Sequence, residues 1–254
     1  MKVVLSGDWH ANRLWARGVI SMASVILRDE EQKIIIQLGD FGYWPRDPQG
    51  ERFIEETDSA LADAGIELWF VDGNHEDHDA LDAIGGLGDD GWVSRNIRHL
   101  YRGERWSWNS KEWVAIGGGA SVDRAQRTEG KDWFPQEMLS PSQVEDITRG
   151  GPADVVVAHD CPSSVRLLLP PPMPGWAFRD LARSDRHREI LEEIRGELRP
   201  CLWLNGHYHL AHNSYNETTH MRTVILDCDG QPAGSLTDVV VDTATLEVSK
   251  IWAT

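Results

Sequence analysis

The sequence predicts an α/β fold in which short parallel strands lie side by side. Apolar runs of four to six residues recur along the chain, which is typical of strands buried on both faces. Stretches with apolar residues at three- and four-residue spacing separate the first runs, which is typical of amphipathic helices. The order strand, helix, strand, helix, strand indicates βαβ units.

Five of the predicted strands end in glycine or polar residues. They are residues 2–5, 33–38, 66–71, 154–158 and 201–204, with helices predicted at 13–27 and 51–64 between the first three. In open α/β sheets, ligands bind beyond the carboxyl ends of the strands. We therefore expect the residues that follow these strands to meet at one rim of the fold.

The second half of the chain has more varied signals. Ser140 followed by Pro141 and, two residues later, Gln143 predicts a helix start, and the helix ends near Arg149. We also predict a strand at 112–116, a helix at 185–198, and antiparallel strands at 222–227, 236–241 and 246–251. Residues 85–111 look like short strands and loops, and 169–175 is an extended loop with four prolines.

Composition limits the classes of function. The chain has 254 residues with 41% hydrophobic and 26% charged residues, as in ordinary globular proteins. The formal net charge of -16 disfavours extended nucleic acid as the main ligand. Three dispersed cysteines favour a reducing compartment. With no apolar run long enough for a signal sequence or a membrane span, we expect a cytoplasmic protein without a membrane partner.

Two motifs place metal-binding side chains at strand ends. Asp8 and His10 are two residues apart in an extended segment, so their side chains share a face. Such a pair can hold a metal ion, although a strand-end aspartate beside a packed histidine is the commoner case for this pattern alone. Gly39 permits a tight exit from the second strand, and Asp40 is a hard oxygen ligand able to bridge two cations.

The segment Gly73-Asn74-His75-Glu76 follows the third strand. Asn74 offers a neutral carbonyl ligand. The adjacent His75 points elsewhere, so it is a candidate proton donor. The competing interpretation is an asparagine turn that begins a helix near Asp77.

Later strands supply three more histidines. His159 ends the strand at 154–158, where a structural role is the commoner case for a single histidine. His207 and His209 repeat the two-residue spacing after the strand at 201–204, which places both imidazoles on one face.

In the order DxH, GD, GNHE, H and GHxH, these motifs resemble those of the calcineurin-like metallophosphoesterase superfamily. They span Asp8 to His209, about four fifths of the chain. The resemblance implies two mixed β-sheets stacked as a sandwich and flanked by helices. We expect a single domain over residues 1–254, because no linker-like segment divides the chain.

The resemblance also implies a binuclear metal site, with each residue carried over by its motif position. One metal ion would be held by Asp8, His10, Asp40 and His209, and the other by Asp40, Asn74, His159 and His207. These nitrogen and oxygen ligands suit Mn, Fe, Co, Ni or Zn, and the resemblance favours Mn.

A two-metal hydrolysis follows from that site. A metal-bridging hydroxide would attack phosphorus, and the metals would neutralise the developing charge. Asp40 takes part as the shared bridge. His75 matches the general-acid position and would protonate the leaving alkoxide, with Glu76 or Asp77 orienting it.

Departures from the superfamily's protein Ser/Thr phosphatases bear on the substrate. Asp72 stands where they carry an arginine, and the arginine of their DRG motif has no clear equivalent, although Arg46 lies six residues after Asp40. Such arginines grip a phosphate dianion with forked hydrogen bonds. Their absence favours small or nucleotide-type phosphodiesters, unless a loop arginine substitutes; the candidates are Arg124, Arg127 and Arg179.

Three other functions compete with phosphodiester hydrolysis. The chain would instead be a phosphomonoesterase, either a nucleotidase or a protein phosphatase, if a loop arginine grips a dianion. A nuclease is disfavoured by the acidic charge, and a non-catalytic scaffold by the complete set of ligands. The sequence leaves the oligomeric state open.

Residues between the motifs would shape the site. Trp9, Trp44 and Tyr208 lie in or beside the motifs, where packing is favoured over stacking on a nucleobase. Residues 123–134 and 170–178 are candidate rim loops. Cys161 is expected to be a small packed residue rather than a nucleophile.

Overall fold

The protein consists of two six-stranded mixed β-sheets, as seen in a computed structural model that describes residues 1–251. The first sheet contains β1 (Lys2–Ser6), β2 (Ile34–Gln37), β3 (Glu67–Phe70), β4 (Ile97–His99), β11 (Asp238–Asp242) and β12 (Val248–Lys250). Its spatial order is β12-β11-β1-β2-β3-β4. Strands β1 to β4 run parallel, and β11 and β12 extend the sheet in antiparallel fashion.

The second sheet has the order β5-β6-β7-β8-β10-β9. It contains β5 (Arg105–Trp108), β6 (Lys111–Ile116), β7 (Val155–Ala158), β8 (Leu202–Asn205), β9 (His212–Asn216) and β10 (Met221–Ile225). Its four central strands are parallel, while β5 and β9 are antiparallel edge strands.

Alternating side chains divide the core into three layers. In β1, Val3 and Leu5 face the second sheet and pack with residues such as Val157, whereas Val4 faces the helices. The helices α1 (Arg13–Ile26) and α2 (Pro48–Ala64) cover the first sheet, and α4 (Pro141–Arg149) and α5 (Phe178–Leu198) cover the second. A short helix, α3, spans His78–Asp82. The predicted sandwich of stacked mixed sheets flanked by helices is confirmed.

Local sequence signals set several helix boundaries. Ser140 accepts a hydrogen bond from the backbone N–H of Gln143, whose side chain accepts one from the Ser140 N–H, as predicted. The predicted start of α5 at 185 is wrong by seven residues, because its first turns bury Asp180 instead of an apolar residue. The edge strand β9 escaped prediction, because its sequence, HNSYN, is polar. In the described residues, no helix is long and apolar enough to cross a membrane.

Candidate metal centre

Polar residues that follow five parallel strands meet between the two sheets at their carboxyl ends. Asp8, Asp40 and Asn74 follow β1, β2 and β3 in the first sheet. His159 directly follows β7, and His207 follows β8, in the second sheet. The fold therefore brings the seven predicted metal-site residues together, although they are spread over about two hundred positions of sequence.

One group of side chains consists of Asp8, His10, Asp40 and His209. Their potential ligand atoms all lie within 4.8 Å of one another. The Nε2 atom of His209 is 3.2 Å from Oδ2 of Asp8, and Nε2 of His10 is 3.6 Å from Oδ2 of Asp40. Both carboxylates are buried, and both imidazoles are partly exposed, so the group opens to solvent on one side.

The second group shares Asp40 with the first. The Oδ1 atom of Asp40 lies 3.4 Å from Nε2 of His159. That nitrogen is 3.2 Å from Oδ1 of Asn74 and 3.1 Å from Nδ1 of His207. Two ligands about 2.1 Å from one metal ion lie about 3.0–3.4 Å apart when the angle at the metal is between about 90° and 110°. The spacing of these four atoms therefore suits a common cation.

Hydrogen bonds outside the two groups decide which atoms face inward. Nδ1 of His159 is 2.8 Å from the carbonyl oxygen of Leu38, so its N–H donates there and Nε2 offers a lone pair. The amide nitrogen of Asn74 donates to Ser121 Oγ at 3.1 Å, which leaves Oδ1 facing His159. Lone pairs that converge in this way attract a cation or a proton, and outer hydrogen bonds of this kind typically orient metal ligands.

Two buried carboxylates make the site attractive to positive charge. Burial alone would lower the pKa of His10, but hydrogen bonds to Asp229 and Asp40 raise it to about 11. A hydrogen bond to Asp8 raises the pKa of His209 to about 10, helped by Cys228. A divalent cation would satisfy the same carboxylates in place of these protons. Charge and donor type thus fit a metal ion.

The backbone at the site is unusual. Four of the seven predicted ligands have positive φ angles between 46° and 73°; they are His10, Asp40, His207 and His209. Non-glycine residues rarely adopt this conformation, and such residues cluster at functional sites. A Cβ atom on Gly73 would lie 2.1 Å from Asp40 Oδ1, and one on Gly206 would lie 2.1 Å from Asp8 Oδ1. Only glycine allows these backbones to approach the carboxylates so closely.

The prediction that Glu76 or Asp77 orients His75 is wrong. Fully buried Glu76 accepts hydrogen bonds from the N–H groups of Gly42 and Gly73, at 3.1 and 2.7 Å, and so ties two loops together. Asp77 caps α3 and pairs with Arg46. Both carboxylates are occupied elsewhere because the chain turns sharply after Gly73.

Arg127 instead contacts the imidazole of His75. Its Nη1 and Nη2 atoms are 3.1 and 2.9 Å from Nδ1 and Nε2 of the ring. Asp123 holds the guanidinium through two hydrogen bonds of 2.8 and 2.9 Å. The His75 side chain is 35% exposed, so part of the ring is open to solvent. Burial lowers the pKa of His75, opposed by Asp40 and assisted by Arg127.

The other arginines considered in the sequence have different roles. Arg124 pairs with buried Asp180 at 3.3 Å, and Arg179 is 70% exposed. Arg46 pairs with Asp77. Among the described residues, Arg127 is thus the arginine that contacts a predicted site residue, His75.

Asp72, which replaces the phosphatase arginine, also belongs to an ion pair. Its carboxylate lies 3.1 Å from Nε of buried Arg102 and 3.3 Å from Nε2 of His99. Burial alone would raise the pKa of Asp72, but these partners hold it well below its usual range. The buried ion pair between Asp72 and Arg102 therefore fixes the loop that precedes Gly73.

Several residues that support the predicted ligands were not recognised from the sequence. Asp229 precedes Gly230 in the sequence, a pair typical of turns, and its Oδ1 atom is 2.8 Å from Nδ1 of His10. Ser121, which contacts Asn74, donates to buried Glu137 at 2.5 Å. Only proximity in the fold reveals these roles, because each residue is far in sequence from its partner.

The aromatic residues beside the motifs are packed. Trp9 is fully buried and donates to Ser6 Oγ at 2.6 Å, and Tyr208 donates to buried Asp160 at 2.5 Å. Trp44 packs against Phe134. Cys161 is buried, which raises the pKa of its thiol to about 12, as expected for a packed residue.

Comparison with known proteins agrees with this architecture. The model of the calcineurin-like phosphoesterase family matches residues 1–211. A dimetal phosphatase from Danio rerio shares 12% identity and a TM-score of 0.57, over 94% of this chain and 91% of that one. The TT1561 protein of Thermus thermophilus shares 12% identity and a TM-score of 0.54, over 99% of this chain and 100% of that one. The comparison with curated proteins finds no match.

The two solved structures support the fold assignment. The family model identifies the family to which the chain belongs. Its match covers most of the chain and includes every motif from Asp8 to His209. The family implies a binuclear metal site, and the four-residue group around Asp8 provides a suitable place for one ion. This chain belongs to the calcineurin-like phosphoesterase family and is a metal-dependent phosphoesterase.

Proposed function

We propose that this protein hydrolyses small phosphodiesters with two divalent transition-metal ions, of which Mn is our choice. One ion would be held by Asp8, His10, Asp40 and His209, and the other by Asp40, Asn74, His159 and His207. The observation that carries this proposal is the carboxylate of Asp40. Its Oδ2 atom lies 3.6 Å from His10 Nε2, and its Oδ1 atom lies 3.4 Å from His159 Nε2. One carboxylate thus faces both groups, as a bridging ligand must.

Bound divalent cations would lower the pKa of a water molecule to supply the nucleophile, and would neutralise charge on the phosphate. The protein's own residues do the rest. Asp40 Oδ1 accepts a hydrogen bond of 2.8 Å from the backbone N–H of His75, which fixes that residue beside the centre. We assign His75 the role of general acid, which protonates the leaving oxygen. Its partly exposed ring is open to a substrate bound at the centre.

The charge around the site supports a phosphodiester. A monoester dianion gains most from several forked arginines. Arg46 and Arg102 are instead paired with Asp77 and Asp72. Arg127 is also paired with Asp123, but it contacts His75, where it would meet a phosphoryl oxygen. One guanidinium that already shares its charge with a carboxylate suits a singly charged diester better than a dianion.

The main alternative is a phosphomonoesterase, either a nucleotidase or a protein phosphatase. Arg127 is the observation that favours it, because two hydrogen bonds from Asp123 hold the guanidinium in a fixed position. A nuclease and a non-catalytic scaffold have less support. The overall charge of -16 opposes a long polyanion, and all seven expected ligand positions are filled.

A direct comparison of substrates tests the proposal. The protein is stripped of metal and reconstituted with Mn, and kcat/KM is measured for a bis-aryl phosphodiester and an aryl phosphomonoester. We expect a higher value for the diester. A preference for the monoester would overturn the diester assignment and leave the phosphoesterase assignment intact. Loss of both activities in a protein that holds two metal ions would favour the scaffold.

The role of His75 has its own test. We expect His75→Ala to keep its bound metal and to lose rate, most strongly with poor leaving groups, because these need protonation most. His78→Ala is a useful control, since His78 is a neighbouring buried histidine outside the two groups. Loss of metal from His75→Ala would contradict the assigned role.

A further inference from the structure

The first half of α5 carries three polar residues on one face. Asp180, Arg183 and His187 follow one another at spacings of three and four residues, which places them on the same side of the helix. Asp180 and His187 are fully buried, and the Arg183 side chain is 25% exposed. Burial of polar and charged groups costs free energy unless each group has a partner. The partners of all three belong to loops around the candidate metal centre.

Asp180 holds the loop that contains Arg127. Its carboxylate accepts hydrogen bonds of 3.3 Å from Arg124 and 3.2 Å from the backbone N–H of Ala125. Arg127 follows two residues later and contacts the imidazole of His75. Asp180 therefore fixes the start of the loop from which Arg127 reaches the proposed general acid.

Arg183 acts on Asn74 through two buried residues. Its Nη1 atom lies 3.2 Å from Oε1 of Glu137, and the other oxygen of Glu137 accepts a hydrogen bond of 2.5 Å from Ser121. The single hydrogen of the Ser121 hydroxyl is used in this bond, so its oxygen can only accept from Asn74. The amide nitrogen of Asn74 donates there at 3.1 Å, which turns Oδ1 towards His159. The Arg183–Glu137 pair thus sets which amide atom faces the second group.

His187 acts on the loop after β8. Its Nδ1 atom lies 2.9 Å from Oδ2 of buried Asp160, so its N–H donates to that carboxylate. Oδ1 of Asp160 accepts a hydrogen bond of 2.5 Å from the hydroxyl of Tyr208. Tyr208 lies between His207 and His209. His187 therefore fixes, through Asp160, the loop that carries both histidines.

The two halves of α5 differ in what they bury. The second half packs on the second sheet with Leu191, Ile194 and Leu198, as an amphipathic helix ordinarily does. The first half buries polar side chains instead, and each of them leads to a different part of the site. Covering the sheet would require only the apolar type of contact.

We propose that α5 positions the metal centre through Asp180, Arg183 and His187, which act through other side chains. Arg183 would set the orientation of Asn74, and His187 would hold the loop that carries two histidine ligands. Asp180 would hold the loop of Arg127 beside the general acid. The proposal rests on the two-metal site proposed above and assigns its support to one helix.

Manganese binding tests the role of Arg183 in the full chain. The metal-free protein is titrated with Mn, and both dissociation constants are measured. In Arg183→Met we expect one constant to rise about tenfold and the other to change less than about twofold, because Asn74 belongs to one group only. Arg183→Lys keeps a charge beside Glu137 and should restore most of the affinity. Arg186→Met is the matched control, since the Arg186 side chain is 55% exposed on the same helix.

Leaving-group dependence tests the role of Asp180. Asp180→Ala should keep the affinity for both Mn ions and lower kcat, most strongly for phosphodiesters with poor leaving groups, because these depend most on His75. Asp185→Ala changes an exposed aspartate of the same helix and should leave kcat unchanged.

A conservative variant tests the role of His187. His187→Leu should weaken Mn binding by about tenfold, because Asp160 loses the donor that fixes it. His187→Asn should restore most of the affinity, since its amide N–H can donate from a position close to that of Nδ1. Melting curves verify that the variants are folded at the assay temperature.

The outcomes separate the positioning role from the proposed function. The positioning role is wrong, and the proposed function stands, if the unmodified protein binds two Mn ions and hydrolyses phosphodiesters while Arg183→Met and Asp180→Ala behave like their controls. Equal weakening of both Mn ions in Arg183→Met would also overturn it, because a general loss of structure gives that result. An unmodified protein that fails to bind two ions would overturn the two-metal site and the positioning role together.

Discussion

The guanidinium of Arg127 lies against the imidazole of His75, with nitrogen distances of 2.9 and 3.1 Å. Asp123 fixes the guanidinium, and the Asp40 carboxylate fixes the His75 backbone. A neutral imidazole has only one nitrogen lone pair, so at most one of the two contacts is a hydrogen bond at a time. Two of the five guanidinium N–H groups bind Asp123 and one binds the carbonyl oxygen of Asp132. One N–H group therefore remains for a phosphoryl oxygen of the substrate.

Replacement of Arg127 tests this relationship. We expect Arg127→Ala to lower kcat/KM by about tenfold to hundredfold, more for a phosphomonoester than for a phosphodiester, because the dianion gains more from the guanidinium. Arg127→Lys should restore part of the activity, since it keeps the charge and loses the fork. Equal losses for both substrates would show that Arg127 only supports the loop.

Asp229 is predicted to position His10 for metal binding. Its carboxylate contacts Nδ1 of His10 and so turns Nε2 towards Asp40. We expect Asp229→Asn to weaken metal affinity by about 10–100-fold, as for other partners of metal-bound histidines. Titration of the metal-free protein with Mn measures the effect. Asp29→Asn, at a side chain that is 89% exposed, is the control, and equal affinities would refute the role of Asp229.

Gly73 is predicted to tolerate no side chain. In Gly73→Ala, the new Cβ would displace Asp40, whose Oδ1 atom lies at 2.1 Å from the ideal Cβ position. We expect kcat/KM to fall on the order of 100-fold, since small displacements of reacting groups are costly. Gly18→Ala, on the exposed face of α1 with no atom within 4 Å, should instead stabilise the fold by about 0.5–1 kcal/mol. Full activity in Gly73→Ala would contradict the tight packing.

The buried ion pair between Arg102 and Asp72 is expected to contribute more to stability than an exposed ion pair. Arg102→Ala would leave the buried carboxylate of Asp72 without its main partner and should lower the free energy of unfolding by about 3–5 kcal/mol. Arg28→Ala removes a pair whose side chains are 72% and 89% exposed, so its effect should be close to zero. Urea unfolding of the two variants compares them. Similar losses of unfolding free energy in the two variants would mean that burial of the Arg102–Asp72 pair contributes little to stability.

The fold and the seven candidate ligands could be predicted because the ligands lie in short motifs at the ends of apolar strands. Ligands such as Asp8 and His10 lie in short motifs, where a two-residue spacing and a preceding apolar run are visible in sequence. Asp229 lies 219 residues from His10, and Arg127 lies 52 residues from His75 in an irregular loop. Such long-range contacts follow no local period, so only the folded chain reveals them.

Glu76 illustrates a different limit. Its place beside His75 in sequence suggested a contact with the imidazole ring. The bend at residues 74–76 directs the carboxylate inward to two backbone N–H groups instead. Adjacent residues in a tight turn point in different directions, and a sequence motif does not specify which.

Metal stoichiometry is the most direct test of the two-metal assignment. The protein and its His10→Ala and His159→Ala variants are dialysed to equilibrium against Mn, and bound metal is measured by mass spectrometry. We predict two ions per chain in the unmodified protein and the loss of a different ion in each variant, because each histidine belongs to one group. Two ions retained in both variants, or fewer than two in the unmodified protein, would contradict the proposed metal centre.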